Sequence, residues 1–470
     1  MFRRLWTGLP PTPKFSTDLE KLGYFINEED QLRNLEDPKY YYKYFITRNT
    51  YYNDSQRFSF HTAIQRIVLG RLAELGVHPV RLPLGARDDE PHLHVLASND
   101  LATADRVVMF VGETAQDLGV LAYRVTSGSG GIDKGSIVSM VCKMRGAGKD
   151  DMDKNEKAKP AILICNPGEL FWWPEAQRSL SLPAVEGMPR PSAAHWSPHK
   201  YAQNTIPGHE TADAHIASVF QDLLSRSDSS NKTPRITAIA IAGGADALET
   251  FLDHPERWQR WGPHMDSLAV LGGLYEEHHI KTDAFKAFLR QRARAYISSE
   301  APVDTPVSGP DGNDQAARAT RFGCPVHSAG TTWLTELMFI EAQSAIIEWG
   351  EAVACNPMYV NPQIAISYAE TILTAEDTTW VNYKEEGADD DETKQKEEEG
   401  DKHEKEKHKV EDPAGEMENK EMEAGEVGAR ADVKEVPGVI KVSSAALTTV
   451  NSTASVKTEE APLDVDEAQV

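Results

Sequence analysis

Cysteine is scarce in this chain: four residues among 470, Cys142, Cys165, Cys324 and Cys355, widely separated and without a Cys-x-x-Cys pair. That spacing excludes a disulfide framework and a closed cysteine zinc site, and it suits thiols kept reduced in the cytosol or nucleus. Long hydrophobic runs are also missing. Nothing approaches the ~18 consecutive apolar residues of a membrane-spanning helix, and the opening Met1-Phe2-Arg3-Arg4-Leu5-Trp6 lacks the apolar centre of a secretion signal. The expected setting is intracellular, nuclear and/or cytoplasmic, with no membrane contact. No Gly-x-x-x-x-Gly-Lys-Ser/Thr loop occurs, and Gly128-Ser129-Gly130-Gly131 neither follows a strand pattern nor carries the downstream lysine, so no nucleotide or other cofactor is expected.

Positive charge is the third shortage: 49 Lys and Arg stand against 73 Asp and Glu, a formal net charge of −24. The deficit is uneven. Residues 384–470 hold 26 acids and 12 bases, a net −14, and no aromatic residue. Such a segment cannot bury enough apolar surface to offset the entropy of ordering it, so a disordered Lys/Glu-rich acidic tail is expected there. The remaining −10 belongs to a body that carries every Trp, Tyr and Phe and is long enough for one large core. A mildly acidic body lacks the electrostatic footprint of a phosphate-gripping protein, so direct nucleic-acid binding is not expected.

What is present is an alternation of apolar runs and amphipathic stretches. Residues 1–57 mix prolines with aromatic clusters such as Tyr40-Tyr41-Tyr42-Lys43-Tyr44-Phe45 and read as a segment wrapping the domain of 58–383. From Phe58 to Leu75 apolar residues recur at Ile64, Ile67, Val68, Leu72 and Leu75, the spacing of a helix with one buried face, and Gly76 stands where such helices stop. Short apolar runs follow at 94–97, 106–111, 161–165, 236–241, 268–271 and 293–297. They lack two-residue alternation, which predicts strands covered on both faces, as in parallel sheets. Helical patterns lie between them, around 134–142, 212–224, 246–252 and 283–291, with a long one at 331–354. Strand alternating with helix predicts a three-layer α/β fold, a mostly parallel central sheet with helices on both faces. Two polar stretches, 146–159 and 303–319, read as surface loops.

The most informative stretch is Arg235–Leu252, where a buried strand runs through two glycines into a helix. That is the outline of the Gly-x-Ser-x-Gly elbow of α/β-hydrolases, in which small residues flank a nucleophile on a strained strand-to-helix turn. Ala240, Ala242 and Gly244 hold the three defining places, with Gly243 between the last two. The middle one, Ala242, has no oxygen with which to attack an acyl carbon. After strand 106–111 comes Gly112-Glu113-Thr114-Ala115-Gln116-Asp117, where that fold places a loop donating an N–H to the oxyanion hole; Gly112, Glu113, Gln116 and Asp117 are the candidate pocket residues. An acid, Glu300 or Asp304, then follows strand 293–297, and His327 follows in a loop before the last helix, the acid-then-histidine order of the same fold. With Ala242 opposite, His327 would be a base with nothing to activate.

Each feature has a plainer reading. A glycine pair after a strand also serves an ordinary βα turn, and a histidine beside Gly and Pro is commonly a hydrogen-bonded loop residue. His92-Leu93-His94 and Glu276-Glu277-His278-His279 gather metal-friendly side chains, but neither shows a third ligand, so both read as surface polar patches and no metal is expected.

The runs Phe15–Arg33, Gln116–Arg124, Ala293–Glu300 and Ser328-Ala329-Gly330 resemble the fungal argonaute-binding protein two domain, over most of residues 1–360 and with the tail outside. The resemblance implies an α/β-hydrolase-like domain in RNA-interference and heterochromatin assemblies, related to a domain at the end of certain class II histone deacetylases, with protein partners of Argonaute or chromatin-silencing type. Residues and resemblance together favour a non-catalytic interaction domain with a degenerate hydrolase site. The alternatives are a serine or cysteine hydrolase with a displaced nucleophile, and a module that binds a small ligand in the vacated pocket.

Overall fold

The central sheet is built from runs whose side chains are buried on both faces. In a computed structural model of the chain, residues 15–145, 159–186, 202–225, 233–313, 320–332 and 334–363 are described. They include none of the expected acidic tail 384–470, and of the expected loop 146–159 only Lys159. The strands are β1 (Tyr24–Ile26), β2 (Leu32–Asn34), β3 (Val77–Leu82), β4 (Leu93–Ser98), β5 (Arg106–Val111), β6 (Ala161–Cys165), β7 (Phe171–Trp173), β8 (Arg178–Leu180), β9 (Arg235–Ile241), β10 (Met265–Leu271), β11 (Ala293–Ile297), β12 (Pro306–Ser308) and β13 (Val326–Ser328). Nine of them form one sheet in the order β12-β13-β11-β10-β9-β5-β6-β4-β3, while β1-β2 and β7-β8 are separate hairpins. From β6 through β5, β9, β10 and β11 to β13 every pairing is parallel; β3 and β4 at one edge and β12 at the other run antiparallel. A parallel run with an antiparallel strand pair at its start, and with the strand order crossing over between β5 and β6, is an α/β-hydrolase sheet.

The helices are α1 (Thr50–Glu74), α2 (Tyr123–Thr126), α3 (Gly131–Lys134), α4 (Val138–Arg145), α5 (Leu182–Glu186), α6 (Ala212–Ser218), α7 (Gly243–Leu252), α8 (Pro255–Trp261), α9 (Asp283–Arg292) and α10 (Thr335–Cys355). Alternate residues of each strand serve two cores. Val107, Met109, Ala238, Ala240, Val270 and Ala295 pack with side chains of α6, α7, α8 and α9 on one face. Val108, Phe110, Ile239, Ile241, Leu271 and Tyr296 pack with α1, α4 and α10 on the other. The result is helix, sheet, helix, with the carboxyl ends of six parallel strands opening at one end of the sandwich.

Several boundaries differ from the sequence reading. Helix α1 starts at Thr50, inside the stretch read as a wrapping segment, and Tyr24 and Leu32 of that stretch are buried in the core with Phe60 and Ile64. Residues 303–313 contain the edge strand β12 as well as loop. His327, expected in a loop, is the central residue of β13. That strand is only three residues long and lies between Pro325 and the positive-φ Gly330, too short for any periodic signal.

Candidate functional site

Small residues build the turn at the end of β9. Strand β9 ends at Ile241, helix α7 begins at Gly243, and the residue between them, Ala242, has φ 46° and ψ −121°. A side chain rarely adopts that conformation, which costs on the order of 1–3 kcal/mol and is the strained backbone of a nucleophile elbow. Its amide donates to the Leu271 carbonyl at 2.7 Å, and its carbonyl accepts from Ala245 at 2.9 Å and Asp246 at 3.1 Å, so the turn is fixed from both sides. A Cβ on Gly244 would overlap the Gly112 carbonyl oxygen and lie 2.9 Å from that of Val111; one on Gly243 would lie 2.7 Å from Thr114 Oγ1. The glycines thus let the loop after β5 seat directly on the turn. Ala240 is fully buried beneath it.

That loop is held by its own polar contacts. Gly112 donates to the Cys165 carbonyl at 2.9 Å, and the Asn166 side chain donates to the Gln116 carbonyl at 2.6 Å. The Gln116 amide donates to Glu336 at 3.3 Å, at the start of α10. Burial pushes Glu113 above its ordinary range, with the Asp246 charge adding to the effect, and burial does the same to Glu336 against the pull of Arg124. Behind the loop is a small, water-sized recess lined by Phe110, Gly112, Glu113, Asp117, Ile137 and Asn166 among others; neither Ala242 nor His327 lines it.

Beside this recess is a buried network that sequence reasoning missed. Tyr123 donates to Asp117 at 2.5 Å and stacks flat on His61 at 3.6 Å between ring centroids. Glu169 accepts from the Leu118 amide at 2.6 Å, and burial together with the neighbouring Asp117 charge pushes it up to about 8. Glu169 follows Asn166-Pro167-Gly168, an ordinary turn after β6, and its local sequence carries no signal for the role.

The two acid candidates part company. Glu300 is exposed, whereas Asp304 lies 3.1 Å from His327 Nδ1 through Oδ1 and offers the same nitrogen its backbone carbonyl at 3.0 Å. Asp304 also accepts from Arg294 at 3.1 Å and from the Tyr296 hydroxyl at 3.1 Å. Burial works to raise its carboxyl, yet these partners, His327 first, hold it below the ordinary range. His327 Nε2 is buried and has no hydrogen-bond partner, so no serine or cysteine among the described residues is within its reach. Register places His327 level with Ile241 across Tyr296 and Leu271, three strand spacings away, about 14 Å. The structure therefore brings Ala242, Gly243, Gly244, Gly112 and Glu113 together, and pairs Asp304 with His327 three strands away, next to the edge strand β12.

No group of three or more metal-ligating side chains occurs among the described residues. His92 uses Nδ1 on the Glu90 carbonyl, and His279 takes part in capping a short turn with Glu276.

Sheet order and elbow define the class: a protein of α/β-hydrolase-like fold, with an alanine at the tip of the strand-to-helix turn. The model of one family, the Arb2 domain, matches residues 15–303, and the chain belongs to that family. Among solved structures, one from a study of two fungal esterases from Rhizomucor miehei is similar at 8% identity over 63% of this chain and 91% of that chain, with a TM-score of 0.27. A hormone-sensitive lipase from a metagenome library is similar at 10% identity over 63% of this chain and 97% of that chain, with a TM-score of 0.25. No curated protein matches the chain.

Proposed function

We propose that this Arb2 domain is a non-catalytic interaction domain, a hydrolase scaffold that contacts protein partners of Argonaute or chromatin-silencing type in the nucleus or cytoplasm. The observation that carries the reading is Ala242 in the strained elbow conformation: the backbone that presents a nucleophile is kept and the nucleophile is missing. The placement of His327 supports it, since its free nitrogen meets no hydroxyl or thiol among the described residues. The Argonaute-type partner rests on family membership.

Two measurements test the two halves separately. The purified full chain, treated with a fluorophosphonate probe and with short-chain aryl esters beside an active serine esterase, should show neither labelling nor turnover. Labelling abolished by mutating one serine would reject the loss of catalysis. A purified Argonaute-type protein should be retained by the immobilised chain; lack of retention would reject the partner assignment while leaving the first result intact.

A further inference from the structure

The aromatic strap before α1 has no part in the elbow, and its side chains divide into two sets. Lys39–Arg48 contains three cations, five aromatic residues and no acid, in a chain of net charge −24. Tyr42 and Tyr44 face inward: Tyr42 stacks on Phe60 at 4.2 Å, and Tyr44 donates to Asp54 at 2.7 Å. The backbone is pinned as well. Lys43 donates to the Tyr24 hydroxyl at 3.2 Å, and Ile46 and Thr47 donate to the Asn53 side chain at 3.2 and 3.0 Å. The outward set is Lys39, Tyr40, Lys43, Phe45 and Arg48, all exposed, with Tyr40 at 66% and Phe45 at 73%. None of the three cations makes an ion pair among the described residues. Tyr40 and Phe45, the latter edge-on to Tyr44 at 4.8 Å between ring centroids, are thus largely exposed on a pinned backbone and interleaved with positive charge.

We propose that this strap binds a short stretch of single-stranded nucleic acid, with bases stacked on Tyr40 and Phe45 and phosphates met by Lys39, Lys43 and Arg48. A flat ring and a cation at alternating places match a ligand that carries a flat base and an anion on every unit. An acidic peptide would satisfy the cations and leave the rings wet; an apolar protein surface would cover the rings and strand the cations. The two rings, Tyr40 and Phe45, are five residues apart in sequence, so their backbones are at most ~18 Å apart, within the reach of a short single strand. The acidity of the body as a whole argues against gripping a duplex, and the strap is a local exception that the overall charge conceals.

The test is fluorescence anisotropy of the full chain with labelled single-stranded RNA and DNA 12-mers, over about 50–200 mM salt. Three phosphate contacts predict a log–log salt slope of about −2, and Lys39→Gln with Lys43→Gln should bring it to about −0.7. Tyr40→Ala and Phe45→Ala should each weaken binding by roughly fivefold to a hundredfold, with unchanged melting temperature because both rings are exposed. The proposal fails if single strands do not bind at low salt, if duplex of the same length binds equally well, or if the ring variants bind like the parent. It fails equally if polyglutamate or anionic vesicles occupy the same residues while single strands do not.

Discussion

His327 Nδ1, on β13, lies 3.1 Å from Oδ1 of Asp304 in the turn before β12, and β13 is three strands away from β9, which ends at the elbow of Ala242. An acid and an imidazole are therefore joined as a catalytic dyad would be, yet the outer nitrogen of the imidazole meets no hydrogen-bond partner among the described residues. Arg294 and the Tyr296 hydroxyl share the same carboxylate, which anchors it to the strand edge rather than to the mouth of the elbow. Ala242→Ser should consequently restore a hydroxyl without a base. The expected outcome is a folded protein with no fluorophosphonate labelling and no ester turnover above background. Turnover that disappears on adding His327→Gln would show that the imidazole reaches the elbow after all.

Ala242 itself pays for its conformation. With φ at 46° its Cβ opposes the backbone, a cost of roughly 1–3 kcal/mol, whereas glycine adopts the same angles freely and loses only about 0.4–1 kcal/mol through the unfolded chain. Ala242→Gly should raise stability by about 1 kcal/mol in urea unfolding. Ala240→Gly, in the regular strand beneath, should lower it by a similar amount. Equal losses at both positions would mean that the turn is relaxed.

The glycines on the two sides of the molecule should respond oppositely to a methyl group. A Cβ on Gly244 meets the fixed carbonyls of Gly112 and Val111, and moving them means unseating the loop from the elbow. Gly244→Ala should cost about 2 kcal/mol or more. Gly70, exposed on α1 with nothing within 4 Å of its added Cβ, should gain up to about 1 kcal/mol as alanine through helix propensity alone. Chemical denaturation of the two variants decides it, and a neutral Gly244→Ala would remove the close packing offered here as the reason for the glycine.

Much of this architecture is legible in the chain because burial on both faces leaves an unbroken mark. Strands β5, β6 and β11 have the limits that their apolar runs suggest, and the small residues around Ala242 announce the elbow. Illegible parts fail for physical reasons. Strand β3 contains Pro79 and polar residues, which an edge strand tolerates and a pattern search rejects. The first two turns of α1, Thr50–Arg57, are polar or aromatic and show no apolar period. The position of His327 depends on how β13 pairs with β11, a non-local fact, and Glu169 acquires its character only from being folded against Asp117.

That last contact has a pH signature. Burial, with Asp117 beside it, raises Glu169 from 4.5 to about 8, so the native chain keeps a proton that the unfolded chain releases near 4.5. Where the native state binds more protons than the unfolded state, stability falls as pH rises. The contribution of Glu169 should thus be intact below about pH 4.5 and decline through the interval up to about 8, at no more than about 1.4 kcal/mol per pH unit. His61, Asp117, Tyr123 and Arg178 also face this site, so the informative quantity is a difference between variants. Glu169→Gln keeps an oxygen for the Leu118 amide and cannot ionise. Its stability should approach and then exceed that of the parent as pH rises from 5 to 8. Urea midpoints measured at intervals across that range would show the two curves converging or crossing; parallel curves would mean that Glu169 titrates as it does in the unfolded chain.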